Sequence, residues 1–451
     1  MIRRVGRASI RRAGLQLAGP LVVAAGRRAR SGAALPEGVP QRAPRVLLIR
    51  PDHLGDLLMA APAAQVLGDA LQGATVDWLV GPWAADVVGR CGGPGEVLTV
   101  PFPGFTRQEK ASALQPYRVL LGEAARLRAR RYDAVLVLRP DHWWGALLAA
   151  AAGIPRRFGY AVAECLPFLT DSLPLPTGRQ QHAVLTNQAL ARLAAVRLSG
   201  EAVPKTIRNP QYPVDDADRA WACAWLAAQA VHTGDGRVHG ASQRVDRGPL
   251  GVLHPGSGAI LKNWPAERWA DVIRALRAET GARIVLTGGP AERELVASVA
   301  AHLDPSPPVL AGATTFGQLA ALFAAADLVL GGDSGPLHLA AAVGTPTVRV
   351  YGPTDLAEFG PWPPGPQHVA LAVNLSCQPC RALVNPPCGA VERPACLDAI
   401  TPNAVVVAAL RALATSALDS GSARTDRPQA AASGIQPTAS PPAAPSQRLG
   451  S

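Results

Sequence analysis

The chain has 451 residues, 48% of them apolar and only 17% charged, so it can bury a core of two-domain size and its body is not a disordered polymer. No run of 18 apolar residues occurs, which excludes a polytopic membrane protein, and seven cysteines are too few for a disulfide scaffold. The net charge of +11 is concentrated at one end: residues 1–45 hold ten arginines against Glu37, so the remainder is near neutral and a nucleic-acid-binding body is excluded.

Residues 1–42 form a basic extension containing Leu15–Ala25, an apolar stretch interrupted by Gly19 and Pro20 and too short to span a bilayer. Three readings stand for it: an export signal with the twin arginine Arg11-Arg12, a basic segment lying on anionic lipid, or a disordered extension or misassigned start. Arg45–Arg50 reads as a short buried strand, followed by the loop Pro51-Asp-His-Leu-Gly-Asp56 and a helix to about Leu71. Strands at Thr75–Val80 and Ala134–Leu138 then alternate with helices at Ala113–Arg130, Trp143–Ala152 and His182–Leu198. Gln229–Gly248 is polar and reads as a loop insertion. A second series follows, with strands at Leu250–His254, Arg283–Thr287, Val309–Leu310, Leu328–Gly331 and Thr347–Tyr351. Its helices are Ala266–Thr280, Ala291–His302, Phe316–Ala325 and Leu337–Val343. Short, wholly apolar strands alternating with helices predict parallel sheets covered on both faces. From about residue 418 to 451 the Ser, Pro, Ala and Gln content predicts a disordered tail.

Three segments carry chemistry. Gly55-Asp56 follows the first strand, where open parallel sheets bind ligands; an Asp there also serves as an ordinary helix cap, and Asp52 and His53 compete with it for a catalytic role. His254-Pro-Gly-Ser-Gly258 precedes Lys262, one of three lysines in the chain; the turn admits an anion and the lysine supplies a point charge, although such a turn is often structural only. It is not a Walker A loop, and no GxGxxG motif follows a strand. Gly332-Asp-Ser-Gly-Pro-Leu-His338 opens a helix that Gly344 ends, with Asp333 and Ser334 as expected cap residues and small residues leaving the amides open to a diphosphate. A carboxylate loop in one half facing a lysine and a helix start in the other is what a nucleotide-sugar transferase needs.

Arg50-x-x-x-Leu-Gly-Asp56 with Pro62, His254-Pro-Gly-Ser-Gly with Lys262-x-Trp-Pro, Thr287-Gly-Gly-x-x-Glu292, and Gly332-Asp-Ser-Gly-Pro-x-His338 with Gly-Thr-Pro346 resemble the family 9 glycosyltransferases, the family of lipopolysaccharide heptosyltransferases. The resemblance covers roughly residues 43–412. It implies an α/β GT-B fold: two Rossmann-like domains with parallel sheets facing across a cleft. These are an acceptor domain over 43–205 and a donor domain over 213–400, with a helix at 401–417 crossing back to the first. It implies Asp56 as the general base and Arg50 and His53 on the acceptor side. It places Ser257, Lys262, Glu292, Asp333, Ser334, Gly335, Pro336 and His338 with the donor, Lys262 on its diphosphate.

The activity implied is inverting, metal-independent glycosyl transfer without a cofactor, from a nucleotide-diphosphate sugar, ADP-heptose being favoured, to a lipid-linked or cell-envelope glycan. The place implied is the cytoplasmic face of the inner membrane, as in lipopolysaccharide core synthesis. Rival readings are an epimerase-like GT-B enzyme and a catalytically silent nucleotide-sugar-binding protein. Asp216-Ala-Asp218 opens a helix and reads as capping rather than metal binding. Cys377, Cys380, Cys388 and Cys396 admit a structural zinc, a disulfide or redox pairing, or plain loop thiols.

Overall fold

The computed structural model describes residues 15–16, 18–26, 28, 43–106, 114–175, 181–232 and 248–423. Each half of the chain forms one six-stranded, all-parallel sheet. The first contains β1 (Arg45–Arg50), β2 (Thr75–Val80), β3 (Val97–Thr99), β4 (Ala134–Val137), β5 (Arg156–Tyr160) and β6 (Asp171–Leu173), in the order β3-β2-β1-β4-β5-β6. The second repeats that order with β7 (Leu250–His254), β8 (Arg283–Gly288), β9 (Val309–Ala311), β10 (Leu328–Gly332), β11 (Thr347–Val350) and β12 (His368–Leu371), arranged β12-β11-β10-β7-β8-β9. Each is a doubly wound Rossmann arrangement whose strand order reverses at the middle, between β1 and β4 and between β7 and β10. The paired units make the GT-B architecture.

The helices of the first unit are α1 (residues 18–26), α2 (Leu54–Ala70), α3 (Ala85–Cys91), α4 (Gln115–Ala129), α5 (Trp143–Ala151) and α6 (Ala183–Ser199). Those of the second are α7 (Asp216–His232), α8 (Ala266–Thr280), α9 (Arg293–Ala301), α10 (Phe316–Ala325), α11 (Gly335–Ala342), α12 (Leu356–Phe359), α13 (Ala395–Asp398) and α14 (Pro402–Ala423). Central strands are apolar throughout because both faces are covered: Val46, Leu47, Leu48 and Ile49 of β1 have no exposed surface. One continuous apolar cluster passes from β1 and β2 through α2 and α6 to α10, α11 and β7, so the two units share a core. Arg90 at the end of α3 reaches across to Asp215 and Asp218, at 3.1 and 2.6 Å. The Asp218 side chain at the start of α7 is thereby paired with Arg90 rather than capping the helix; the cap is Asp215, whose Oδ1 accepts from the Asp218 amide at 2.8 Å.

Three expectations change. The basic extension is not separate from the body: α1 packs on the first unit, with Leu15, Val22 and Val23 against its core and Gly19 and Gly26 in close approach to Pro167 and Ala150. Residues 1–14 and 29–42 lie outside the described residues, as do 233–247 of the expected insertion and 424–451 of the expected tail. Among the described residues, the final helix packs into the core of the second unit rather than that of the first. Val405, Val406, Ala408, Ala409 and Ala412 of α14 are buried with Trp269, Val272 and Val348 in the core of the second, because its apolar face matches the flank of α8 and the β11–β12 edge. It also continues past the expected boundary at 417, to Ala423.

The two faces of α14 give a direct check. Val405→Asp, at a fully buried position, buries an unpaired charge and should lower stability by several kcal/mol, whereas Val407→Asp, at a position 49% exposed, should stay within about 0.5 kcal/mol of the parent in urea unfolding.

Candidate active site

The loops that follow β1 and β4 in the first sheet, and β7 and β10 in the second, lie at the two strand-order reversals, where neighbouring helices diverge and leave room for a ligand. Every acceptor-side or donor-side residue singled out from the sequence except Glu292 stands at the end of one of those strands, in one of these loops or on the helix that follows.

At the end of β1, the buried Arg50 guanidinium donates to the Leu138 carbonyl at 2.9 Å and to Asp56 at 3.0 Å, and its Nε faces Asp52 at 2.6 Å as an ion pair. Asp52 is buried and also takes Arg139, so its charge is matched by two guanidiniums. Asp56, in the first turn of α2, has only the one arginine hydrogen bond and about a third of its side chain open. Burial, with the neighbouring Asp52 charge behind it, pushes the Asp56 carboxyl up to about 6, and Arg50 and Arg139 only partly oppose this. His53 is exposed at the helix start, its ring 5.5 Å from that of Trp83, and it makes no capping bond. Arg139 was not singled out from the sequence. Its signal was present, since it follows β4, but that β4 lies beside β1 is not written locally in the chain. His142 in the same loop is buried among Phe102, Phe105 and Trp144 without a hydrogen-bond partner; burial brings its pKa down to about 3, so it is a neutral, apolar wall.

Across the junction, Lys262 Nζ lies 2.8 Å from Asp333 Oδ2, both side chains mostly buried. Burial alone would raise the Asp333 carboxyl, but the charge and hydrogen bond of Lys262 outweigh it and hold it below the usual carboxylate range. Ser334 is the residue before α11, yet its side chain caps nothing: its hydroxyl is buried with no hydrogen-bond partner. The expectation of a serine cap is therefore corrected. Gly335 and Pro336 form the first turn, and Gly344 beyond the helix takes φ 83°, the left-handed conformation suited to glycine. His338, on α11, accepts from Arg349 at 3.3 Å, and burial brings its pKa down to about 3, so it faces Asp333 at 3.9 Å as a neutral ring.

The remaining donor-side residues do local work. The Ser257 hydroxyl lies 2.8 Å from both the Ala259 carbonyl and Asn263 Oδ1, which share its one proton, so it closes its own loop. Glu292, at the start of α9, accepts from the Gly289 amide at 2.6 Å and lies 3.2 Å from His254 Nε2. A Cβ at Gly256 would fall 2.2 Å from the Glu292 carboxyl carbon, so a side chain there would displace that carboxylate. His254 is fixed in turn by Thr287 at 3.1 Å. Cys377, Cys380, Cys388 and Cys396 are free thiols lining one small cavity with Leu261 and Pro353. Among the described residues no group of three or more His, Cys, Asp or Glu is arranged to hold a metal.

The two halves meet at their helix starts. A Cβ on Gly55 would sit 3.1 Å from Gly335 Cα and from the His338 ring, and a Cβ on Gly335 would sit 3.1 Å from the Gly55 amide nitrogen. Two glycines thus bring the amino ends of α2 and α11 into backbone contact, with Asp56 beside one and Asp333 and Lys262 beside the other.

Lys262→Met strands the buried Asp333 charge and should cost about 3–5 kcal/mol, most of which Lys262→Met with Asp333→Leu should recover. Urea unfolding of the two variants and the parent checks this, and equal loss in single and double variants would show that the pair is not the origin.

A family model described as glycosyltransferase family 9 (heptosyltransferase) matches residues 123–387. The chain is 27% identical to lipopolysaccharide heptosyltransferase 2 of Escherichia coli strain K12 over 315 residues, 69% of this chain and 83% of that protein. Among solved structures it is similar to E. coli ADP-heptose lipopolysaccharide heptosyltransferase II, with a TM-score of 0.63 and 22% identity, covering 83% of this chain and 99% of that one. It is also similar to an E. coli heptosyltransferase with ADP, at a TM-score of 0.55 and 25% identity, covering 80% and 97%.

Proposed function

Because the chain belongs to glycosyltransferase family 9, and is a glycosyltransferase on that ground, we propose that it moves a heptose from ADP-heptose to a lipid-linked glycan acceptor of the cell envelope, with inversion and without a metal ion, at the cytoplasmic face of the inner membrane. The observation that carries this reading is the Gly55–Gly335 contact, which sets one under-neutralised carboxylate, Asp56, opposite a lysine and an open helix start. The names of the relatives support the sugar, and the solved likeness with ADP supports the nucleotide.

In this reading the acceptor hydroxyl gives its proton to Asp56 while its oxygen attacks the anomeric carbon. The bond from that carbon to the diphosphate oxygen breaks on the opposite face, and the charge developing on the diphosphate falls on Lys262 and the first amides of α11. The orphaned Ser334 hydroxyl is a further donor for a phosphate oxygen. Asp52 is already matched by two arginines, which favours Asp56 as the base. The Lys262 ammonium and the α11 dipole supply the positive charge that a divalent ion supplies elsewhere, and Asp218 is committed to Arg90. Among the described residues no helix is long and apolar enough to cross a membrane.

Asp56→Asn should lower turnover by a factor on the order of 10² or more, with donor affinity unchanged. Since a base acts deprotonated, kcat/KM of the parent should rise with pH through about 6 and level off above it, and Asp56→Asn should lose that limb. Activity abolished in Asp52→Asn but kept in Asp56→Asn would reverse the assignment. For the donor, thermal shifts with ADP-, UDP-, GDP- and CMP-sugars should be largest with ADP-heptose, since a ligand that binds only the native state raises its stability. The largest shift from a UDP- or GDP-sugar would overturn the nucleotide.

A further inference from the structure

We propose that the outer face of the first unit, built by α1 and α4, is a docking surface for an anionic lipid bilayer. Lipid-linkage of the acceptor belongs to the reading above, and this surface gives that reading its geometry; the surface itself stands on other observations.

α4 buries Leu120, Ala124 and Leu127 and turns the opposite stripe outward, where Leu114, Tyr117 and Leu121 are 61%, 53% and 68% exposed. Their spacing puts them on one face, and the exposed Arg118 stands between Leu114 and Leu121 on it. α1 repeats the pattern. Its inward stripe is Gly19, Val22, Val23 and Gly26, whereas Ala18, Leu21, Ala24 and Ala25 face out, Leu21 being 74% exposed. A helix apolar on both sides is left with one face unmatched in water. Both helices cover the same side of the first sheet, with their buried residues in one cluster.

Topology fixes where this face points. α4 leads into β4, so its amino-terminal half, which carries the three exposed side chains, lies at the edge where strands end and where Asp52, Asp56 and Arg139 stand. The Gly19 end of α1 touches Pro167 and Phe168, which lead into β6, beside Leu166, itself 46% exposed. The exposed apolar face at the amino end of α4 thus borders the strand-end loops of the site.

Charge selects the occupant. Arg3, Arg4, Arg7, Arg11 and Arg12 precede α1 with no acidic residue among them, and Arg27, Arg28 and Arg30 follow it. An exposed apolar face on a chain segment this rich in arginine matches an anionic bilayer, in which leucine and tyrosine enter the headgroup boundary and arginine charge is drawn to phosphates. A second copy of the chain would bring the same positive charges together.

Flotation of the full chain with phosphatidylcholine vesicles, with and without phosphatidylglycerol, tests this. The parent should float only with the anionic vesicles. Leu21→Gln with Leu121→Gln, at exposed positions away from the site, should lower the bound fraction about tenfold or more, while transfer to a delipidated, water-soluble acceptor stays at the parent rate. Unchanged flotation of the double variant would assign binding to the arginines alone and overturn the surface. So would absence of flotation, or a parent dimer in sedimentation that the double variant dissolves. Failure of the parent on the soluble acceptor would instead count against the transferase reading and leave the flotation result standing.

Discussion

Gly55 and Gly335 hold the starts of two helices from different sheets in backbone contact, and the placing of the site follows from that contact. Each helix start carries a partial positive charge, so two of them face to face repel unless negative charge lies nearby. Asp56 and Asp333 supply it, one on each side. Asp333 stays ionised because Lys262 meets it, and Asp56 is the less matched of the pair because Arg50 is shared with Asp52. An anionic ligand at this junction would therefore meet two helix ends and a lysine already oriented. Side chains at either glycine would separate the units by tenths of an ångström at the point where alignment of acceptor and donor is set.

The buried histidines follow a related logic. His338 and His142 both lie in apolar surroundings that hold them neutral, although each has charged groups nearby. A neutral ring beside Asp333 leaves Lys262 as its main cationic partner. Arg349, wholly buried, is spent on the Leu337 carbonyl, Thr347 and His338, so it braces α11 against β11 instead of adding charge to the cleft.

Central strands such as β1, β7 and β10 were legible as continuous apolar runs because a strand covered on both faces has no polar alternation to hide it. β3 and β6 are three residues long and carry too little pattern. β5 begins Arg-Arg, and only the structure shows why it is a strand: Arg157 is buried and takes the Ile154 and Phe168 carbonyls as partners. Asp56, Lys262 and Asp333 were legible because strand ends mark sites in parallel sheets. The matched state of Asp52 was not, since Arg139 comes from another loop, and the glycine contact joins two halves with no local signal of pairing. The final helix was misread for the same reason: an apolar stripe says that a helix is buried, not which of two similar sheets receives it.

That placement of α14 bears on how the chain is strung. With the last helix seated on its own half, the described chain passes between the halves once, through residues 200–215, where Arg208 meets Asp69 on one side and Tyr212 meets Ala342 on the other. Covalent continuity there adds effective concentration to a union whose shape is already set by the shared apolar core and the Arg90 bridge. The enzyme is in this sense a heterodimer written as one polypeptide, and two fragments divided in that segment carry the complementary surfaces needed to reassemble it.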